Sequence, residues 1–418
     1  MSQSNPVPPS QRLEILDILR GFALLGILLA NSANFSLYFL QSDETKAAFP
    51  FPQADRFLDA FHEGFIDGKF YVIFSLLFGI GFSLIFFRKQ TSGRLGLFYR
   101  RLFFLMITGL IHSLLIWEGD ILGFYAVVGA ILPLFRNVAP RKLIWISIFL
   151  MLTPLILDGI KVATDGKLVP QVFAELTQKN DDKYGINDNN FRRWLIENDS
   201  YAHLTQWNRS GFTYLWHLRI DSNRIPKVLA MFILGLAIGK LKLVERFAEF
   251  RSRLQKLMII CFLIGVPAAF ARMYFDDDVR LPAPGGLWDT LFYLVNVPTL
   301  SIAYSIAIAL YYNKYKPEIL KWLQSVGRMA LTNYMMQSVI SICIYYGIGF
   351  RLGGQFGPSI YMPIAILIFI AQVFYSKMWL SYFNYGPAEW IWRQLTYGKR
   401  LKLRRVETEA LSLQNDSN

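Results

Sequence analysis

Residues 15–38 read ILDILRGFALLGILLANSANFSLY. This run is apolar apart from Asp17, Arg20 and a few amides and hydroxyls near its end. It exceeds the roughly 20 residues that carry a helix across a bilayer. The tail 1–12 before it is polar and rich in Pro and Ser. That tail lacks the basic segment and small-residue cleavage site of a signal peptide, so the run reads as an uncleaved first span.

The rest of the chain repeats the pattern. Of 418 residues, 54% are hydrophobic and only 17% charged, with aromatics at 16%. The mean hydropathy is +0.32. At roughly 20 residues per span, that apolar stock fills about ten spans. A disordered chain, a disulfide-rich secreted domain and an ordinary soluble enzyme are excluded by this balance. Ten spans are expected at 15–38, 64–87, 98–117, 119–135, 142–160, 225–241, 256–274, 288–312, 329–350 and 359–382. The fold class is therefore all-α, a polytopic transmembrane helical bundle.

Lys and Arg sort by loop. Arg88, Lys89, Arg94, Arg100 and Arg101 follow the second span. Further basic groups follow spans 4, 6 and 8 and fill the C-terminal tail, whereas the alternate loops hold few. This asymmetry predicts that both termini are cytoplasmic, in a bacterial inner membrane. It also accounts for the net charge of +13 without a nucleic-acid partner. Two cysteines and four histidines give no disulfide framework and no metal-ligand spacing, so no metal is expected.

The expected organisation is a mobile tail 1–12, a five-span half 13–160, an extracytoplasmic segment 161–224, a second five-span half 225–385 and a basic amphipathic tail 386–418. The segment 161–224 is long, polar and studded with aromatics, and is expected to fold over the outer mouth of the bundle. Segments 313–327 and 386–405 mix Trp, Leu and basic residues as interfacial helices do. Gly235 and Gly239 have the spacing that lets helices approach closely.

Ionisable and polar groups inside spans are costly, and each is a candidate for function. Asp17 and Arg20 are three residues apart and share a helix face. Asn31 lies eleven residues beyond Arg20, about 16 Å deeper on nearly the same face. This makes a polar stripe from the cytoplasmic surface into the bundle, or an interfacial ion pair with an interhelical amide. His112 is expected in the outer half of the membrane, where a neutral imidazole can serve as general base or simply bond a neighbouring helix. Glu118 and Asp120 follow and are placed to orient it. Arg100 and Arg101 suit phosphates or lipid headgroups. His62 opens the second span and Arg224 the sixth. Asn333 and Gln337, four residues apart, share a face that lines a cavity or joins helices.

Several segments together resemble the YeiB-like bacterial inner-membrane proteins, a family catalogued as a domain of unknown function. They are LDILRGFALLGI at 16–27, FSLLFGIG at 74–81, GLIH at 109–112, GDIL at 119–122, GRMALTNY at 327–334 and GPAEW at 386–390. That family is similar to type 3 acyltransferases and to heparan-glucosaminide-type N-acetyltransferases. In type 3 enzymes a basic residue of the first span precedes a catalytic histidine by ten spacer residues. Arg20 matches the basic position, and Asn31 stands where the histidine would be. The basic segment from Arg88 to Arg101 resembles the region implicated there in acyl-CoA binding. The resemblance implies transfer of an acyl group, acetyl by preference, from cytoplasmic acyl-CoA to a glycan or lipid-linked sugar. The donor would lie against Arg20, Arg88, Arg94, Arg100 and Arg101. His112, Asn31, Asp120 and Glu118 would be catalytic, and Asp17, His62, Arg224, Asn333 and Gln337 would bind substrate. The alternative is a transporter or exporter of a small metabolite or lipid, without covalent chemistry. The bilayer is the one partner expected outright, with self-association left open.

Overall fold

The structure is a computed structural model describing residues 13–87, 94–164, 170–274 and 286–405. Helix α1 spans Glu14–Phe35, followed by the short α2 (Asp43–Ala47) and α3 (Pro52–Phe61). Then come α4 (Lys69–Phe87), α5 (Arg94–Leu115), α6 (Leu122–Gly129) and α7 (Pro140–Ala163). The segment after it holds α8 (Val172–Tyr184), α9 (Trp194–Glu197) and α10 (Tyr201–Asp221). The second half holds α11 (Arg224–Lys240), α12 (Phe247–Tyr274), α13 (Gly286–Tyr315), α14 (Glu318–Arg328), α15 (Ala330–Tyr345), α16 (Pro358–Tyr382) and α17 (Pro387–Tyr397). The local signals agree with these bounds. Glu14 and Asp17 stand in the first turn of α1, where the helix dipole favours carboxylates. Pro140, Pro358 and Pro387 occupy first turns, where no backbone donor is needed.

Among the described residues, seven helices are long and apolar enough to cross a membrane, and an eighth if the bent pair α10–α11 is one span. One of them joins α3 and α4 into a single run, Pro52–Phe87, through a wide turn at His62–Ile66. All ten expected segments are helical, but three fall short of a full span. Helix α6 has 8 residues, α11 has 17 and α15 has 16. Helix α11 is in addition a core element. Ala230, Phe232, Ile233 and Leu236 of α11 are wholly covered by other helices, so their apolarity serves the protein core. In contrast, α12 exposes Ile259, Ile260, Leu263 and Phe270, and α7 exposes Trp145 and Phe149. Such apolar faces are what a bilayer covers.

Helix α11 lies along α4 and α7, and α12 along α13. Gly79 and Gly235 permit the first approach, since a Cβ on either would strike the backbone of the other helix. Gly239 likewise faces Ser83. Helix α14, expected at the interface, packs against α1 through Gly21 and Gly327 by the same device. Two large apolar cores result, with a small third one of Ile18, Tyr312 and Leu320. One large core gathers Leu24, Leu28, Phe35, Tyr345 and Tyr361, and the other Phe82, Phe124, Phe232 and Leu236. Cys261 and Cys343 are both free.

The ends of the bundle differ in charge. The basic end holds the start of α1 and α5 together with α17. At the opposite end α10 lies across the turn between α5 and α6. There Tyr201 donates to the Leu115 carbonyl at 2.6 Å, Trp207 Nε1 to Glu118 at 2.9 Å, and Arg219 to the Asp120 carbonyl.

Candidate functional site

His112 sits on the last turns of α5 and is fully buried. The helix ends three residues later, and the turn 116–121 folds back on it. Asp120 is thereby brought beside the ring. Its Oδ2 accepts from the Gly123 backbone N–H at 2.7 Å, capping α6. Its Oδ1 stands 3.3 Å from His112 Nδ1, with the N–H and carboxylate misaligned for a full hydrogen bond. On the other ring nitrogen, Nε2 and Ser338 Oγ are 3.0 Å apart. Ser338 projects from α15, one turn beyond Tyr334, whose ring lies 5.1 Å from the imidazole. The Tyr334 hydroxyl accepts from Ile121 N at 3.3 Å and closes the turn. Gly109 leaves room for Gly123 and Asp120 to approach α5.

The imidazole thus has a carboxylate on one nitrogen and a hydroxyl on the other. An aspartate at Nδ1 favours the tautomer with its proton there and frees the Nε2 lone pair to accept from a hydroxyl. This is the requirement for a general base acting on an O–H.

Asn31 is half-buried and makes no hydrogen bond among the described residues. It lies one turn before Phe35 on the same face of α1, and Phe35 packs on Trp117 with ring centres 4.3 Å apart. Trp117 in turn presents its edge to His112 at 6.4 Å. Asn31 therefore faces the same side of the bundle as His112. His62 sits beside the first span as well, bonded to the Ala30 carbonyl, with Nε2 buried and without a partner among the described residues.

The other expected residues are placed differently. Glu118 turns toward α10, where its Oε1 accepts from Trp207 and its Oε2 is sealed. Burial pushes its carboxyl up to about 7, against the opposing effect of the Trp207 bond. Asn333 and Gln337 face α16. Asn333 Nδ2 donates to Ser376 Oγ at 2.9 Å, and Gln337 Nε2 to Gln372 Oε1 at 3.0 Å. Both amides join helices, and neither reaches His112. Asp17 and Arg20 form an ion pair at the basic end. Arg224 lies with its guanidinium 5.0 Å over the Tyr71 ring.

At the basic end, Arg101 stacks 4.7 Å over Trp392 of α17 and bonds Tyr397. It feels the charges of both Arg20 and Arg393. The Nε of Arg393 and that of the Trp392 indole are buried without partners among the described residues. Arg100 is exposed beside the Gly398 turn. Arg88, the side chain of Arg94 and the tail 1–12 lie outside the described residues. No group of three His, Cys, Asp or Glu that could hold a metal occurs among the described residues.

Sequence reading missed Ser338, Tyr334 and Glu389 as parts of this framework. Ser338 stood in the polar run of α15, but no spacing links residue 338 to residue 112. Glu389 accepts from Leu331 N at 2.6 Å, Thr332 N at 3.0 Å and Thr332 Oγ1 at 2.6 Å, tying α17 to the start of α15. The pattern Glu-Trp in a short amphipathic helix gave no sign of that distant partner.

Residues 238–399 match a family model described as a protein of unknown function, DUF418. The chain is 31% identical to the uncharacterized protein YxaH of Bacillus subtilis (strain 168), over 95% of this chain and 97% of that one. It is 30% identical to the uncharacterized protein YeiB of Escherichia coli (strain K12), over 92% of this chain and 96% of the relative. An uncharacterized 39.9 kDa protein encoded in an amylase 3' region of Bacillus acidopullulyticus is 25% identical over 96% of this chain. Both the segments that resembled YeiB-like proteins and the end-to-end likeness to these relatives lead to one conclusion: the chain belongs to the YeiB-like, DUF418 family of polytopic membrane proteins.

Proposed function

We propose that this protein is a membrane acyltransferase in which His112 is the general base. The observation that carries the reading is the buried imidazole between Asp120 and a hydroxyl, 3.3 Å from one and 3.0 Å from the other. The acyl donor is acyl-CoA, acetyl-CoA by preference, bound at the basic end, which faces the cytoplasm of a bacterium. Arg20, Arg101 and Arg393 supply the positive charge its phosphates need, and guanidinium groups suit phosphate geometry. Arg100 belongs to the same end, and the family resemblance adds Arg88 and Arg94 to the donor site. The acceptor is a glycan or lipid-linked sugar entering from the opposite end.

In the reaction, an acceptor O–H or N–H takes the place that Ser338 Oγ holds at Nε2. His112 removes its proton while the acceptor oxygen or nitrogen bonds to the thioester carbonyl carbon. The C–S bond then breaks, and the leaving thiolate recovers the proton from the imidazolium. Asp120 fixes the ring and offsets its transient charge. Asn31, facing this side with its amide uncommitted, donates to the developing oxyanion, a contact of the kind that gains most in the transition state. Asn31 cannot itself be a base, so His112 takes the role that the first-span histidine fills in type 3 enzymes.

The test is label transfer from radiolabelled acetyl-CoA in membranes containing the protein. His112→Ala is expected to lower the rate about 10²–10⁴-fold, the usual worth of a positioned base. Asp120→Asn is expected to lower it while leaving donor binding intact. A protein that shows no CoA-dependent thermal shift and keeps its cellular activity as His112→Ala would overturn the proposal. Transport is the second reading, and the 72° break between α10 and α11 is the feature that favours it. Discontinuous helices are common at transporter binding sites. Substrate counterflow in proteoliposomes without CoA would select it.

A further inference from the structure

At the end of the bundle opposite the basic end, five helices bring a second set of charged groups together, away from His112. The ends of α7 and α10 meet the starts of α11 and α13 around a small pocket lined by Asp158, Asp221, Lys227, Asp289 and Tyr293, with Arg272 of α12 paired to Asp289. Its carboxylates are already engaged. Asp158 pairs with Lys161 at 3.0 Å and accepts from Asn223 and Thr290. Asp221 pairs with Lys161 at 3.2 Å, and Asp289 with Arg272 at 3.4 Å. Arg272 also holds Glu63 at 3.1 Å and Asp67 at 3.3 Å.

Two further cations in this group make no ion pair among the described residues. Lys227 is more than nine-tenths buried and lines the cavity, with its ammonium 4.3 Å over the Tyr293 ring. Arg224, one turn earlier on α11, lies over Tyr71. The Tyr71 and Tyr293 hydroxyls are 2.9 Å apart, so the two rings form one aromatic floor under both cations. Neither Arg224 nor Lys227 has a hydrogen bond to its head group or an ion pair among the described residues. The carboxylates that act on them through space, Asp67 on Arg224 and Asp158 and Asp289 on Lys227, are committed to other partners, so the N–H groups of both cations are free to take an acceptor. Ring faces attract a cation but accept no conventional hydrogen bond from it.

The bend at Asn223, whose backbone is left-handed (φ 50°), adds a third cation. It folds α10 so that Arg219 stands near Arg224 across the break, and Arg219 donates to the Asp120 carbonyl. Lys227, Arg224 and Arg219 thus form a row from the cavity to the residue that orients His112.

We infer that Arg224 and Lys227 form a binding site for a phosphate- or carboxylate-bearing group, and that this group belongs to the acceptor of the transfer reaction. The second half of this statement rests on the acyltransferase reading; the binding site does not. The anionic oxygens would take the open N–H groups of Arg224 and Lys227, and the row would guide the attached hydroxyl toward His112. The paired acids Asp158 and Asp289 limit the site to one anionic group, because further negative charge would be repelled.

The test uses the full-length protein in neutral phosphatidylcholine nanodiscs, without acyl donor. Two probes are titrated separately, inorganic phosphate and phosphatidylglycerol. Saturable binding is expected for at least one, with affinity reduced at least tenfold in the Arg224→Gln, Lys227→Gln double variant. Arg224→Lys with Lys227→Arg should restore most of it. Binding of phosphatidylglycerol alone identifies a lipid headgroup as the source, and binding of both identifies a free anion. The site is refuted if neither probe saturates, or if the double variant binds as the wild type does. Should the double variant fail to fold, Lys227→Gln alone is held to the same tenfold criterion. His112→Ala should bind either probe normally. If anion binding depends on the pair but no acyl transfer is ever found, the acyltransferase reading falls and the site stands. If transfer occurs and the double variant leaves the acceptor KM unchanged, the acceptor assignment falls alone.

Discussion

At the scale of single residues, position within the turn after α5 decides what each carboxylate does. Asp120 and Glu118 are two residues apart, and the turn sends them to opposite partners, one to His112 and the other to Trp207 of α10. Glu118 is buried, bonded to Trp207, and has its carboxyl pushed up to about 7 by burial. A raised carboxyl pKa means that the folded protein holds a proton that the unfolded chain has lost. Stability therefore falls as pH rises from about 4.5 through 7, by at most about 3 kcal/mol, and is level above that. Glu118→Gln keeps the acceptor for Trp207 and removes the titration. The variant is expected to melt higher than wild type at pH 8 and equally at pH 4.5, measured by thermal unfolding in detergent. A constant difference across that range would show that Glu118 is not the group responsible. Both acids and His112 were legible in the sequence, because ionisable groups beside spans stand out. Their division of labour was not, since it depends on which way a six-residue turn folds.

At the scale of elements, helix was legible in all ten expected segments, though not in α2 and α3, and helix role was not legible. An apolar helix that faces lipid and one that fills a protein core have the same composition, so α11 and α15 read as spans of the same kind as α12. The polar face of α15 shows the distinction. Asn333 and Gln337 bind α16, while Tyr334 and Ser338, one position on, turn to α5 and the α5–α6 turn. A shift of one residue on a helix is about 100°, which is enough to separate a structural amide from a hydroxyl at the base. The start of α15 depends on Glu389 from α17, which takes two backbone N–H groups and a hydroxyl. Charged acceptors at a helix start contribute about 1.5–3 kcal/mol when buried. Glu389→Ala is expected to lower thermal stability by that order, and to impair acyl transfer by loosening Ser338 and Tyr334 from His112. Glu389→Gln, which keeps one acceptor oxygen, should be intermediate. An alanine variant with unchanged melting and transfer would show that α15 is held by packing alone.

At the scale of the whole molecule, the two ends carry different chemistry. The basic end gathers Arg20, Arg101 and Arg393 around α17, whereas the other gathers paired acids and bases beneath α10. A membrane protein with this polarity is oriented by its basic loops. The functional proposal depends on the same polarity, because acyl-CoA is a cytoplasmic donor and the row of Lys227, Arg224 and Arg219 opens at the far end. Lys321 and Asp199 are exposed side chains at the two ends, in α14 and in the turn before α10. With Cys261 and Cys343 replaced by Ala, Lys321→Cys and Asp199→Cys provide one reporter for each side. A membrane-impermeant maleimide applied to intact cells is expected to label the Asp199→Cys protein at once. The Lys321→Cys protein should be labelled only after permeabilisation. The reverse pattern would place the arginine cluster outside the cell, out of reach of acyl-CoA. It would overturn the direction of transfer, and with it the assignment of Arg20 and Arg101 to the donor, while leaving the geometry around His112 to be explained by another reaction.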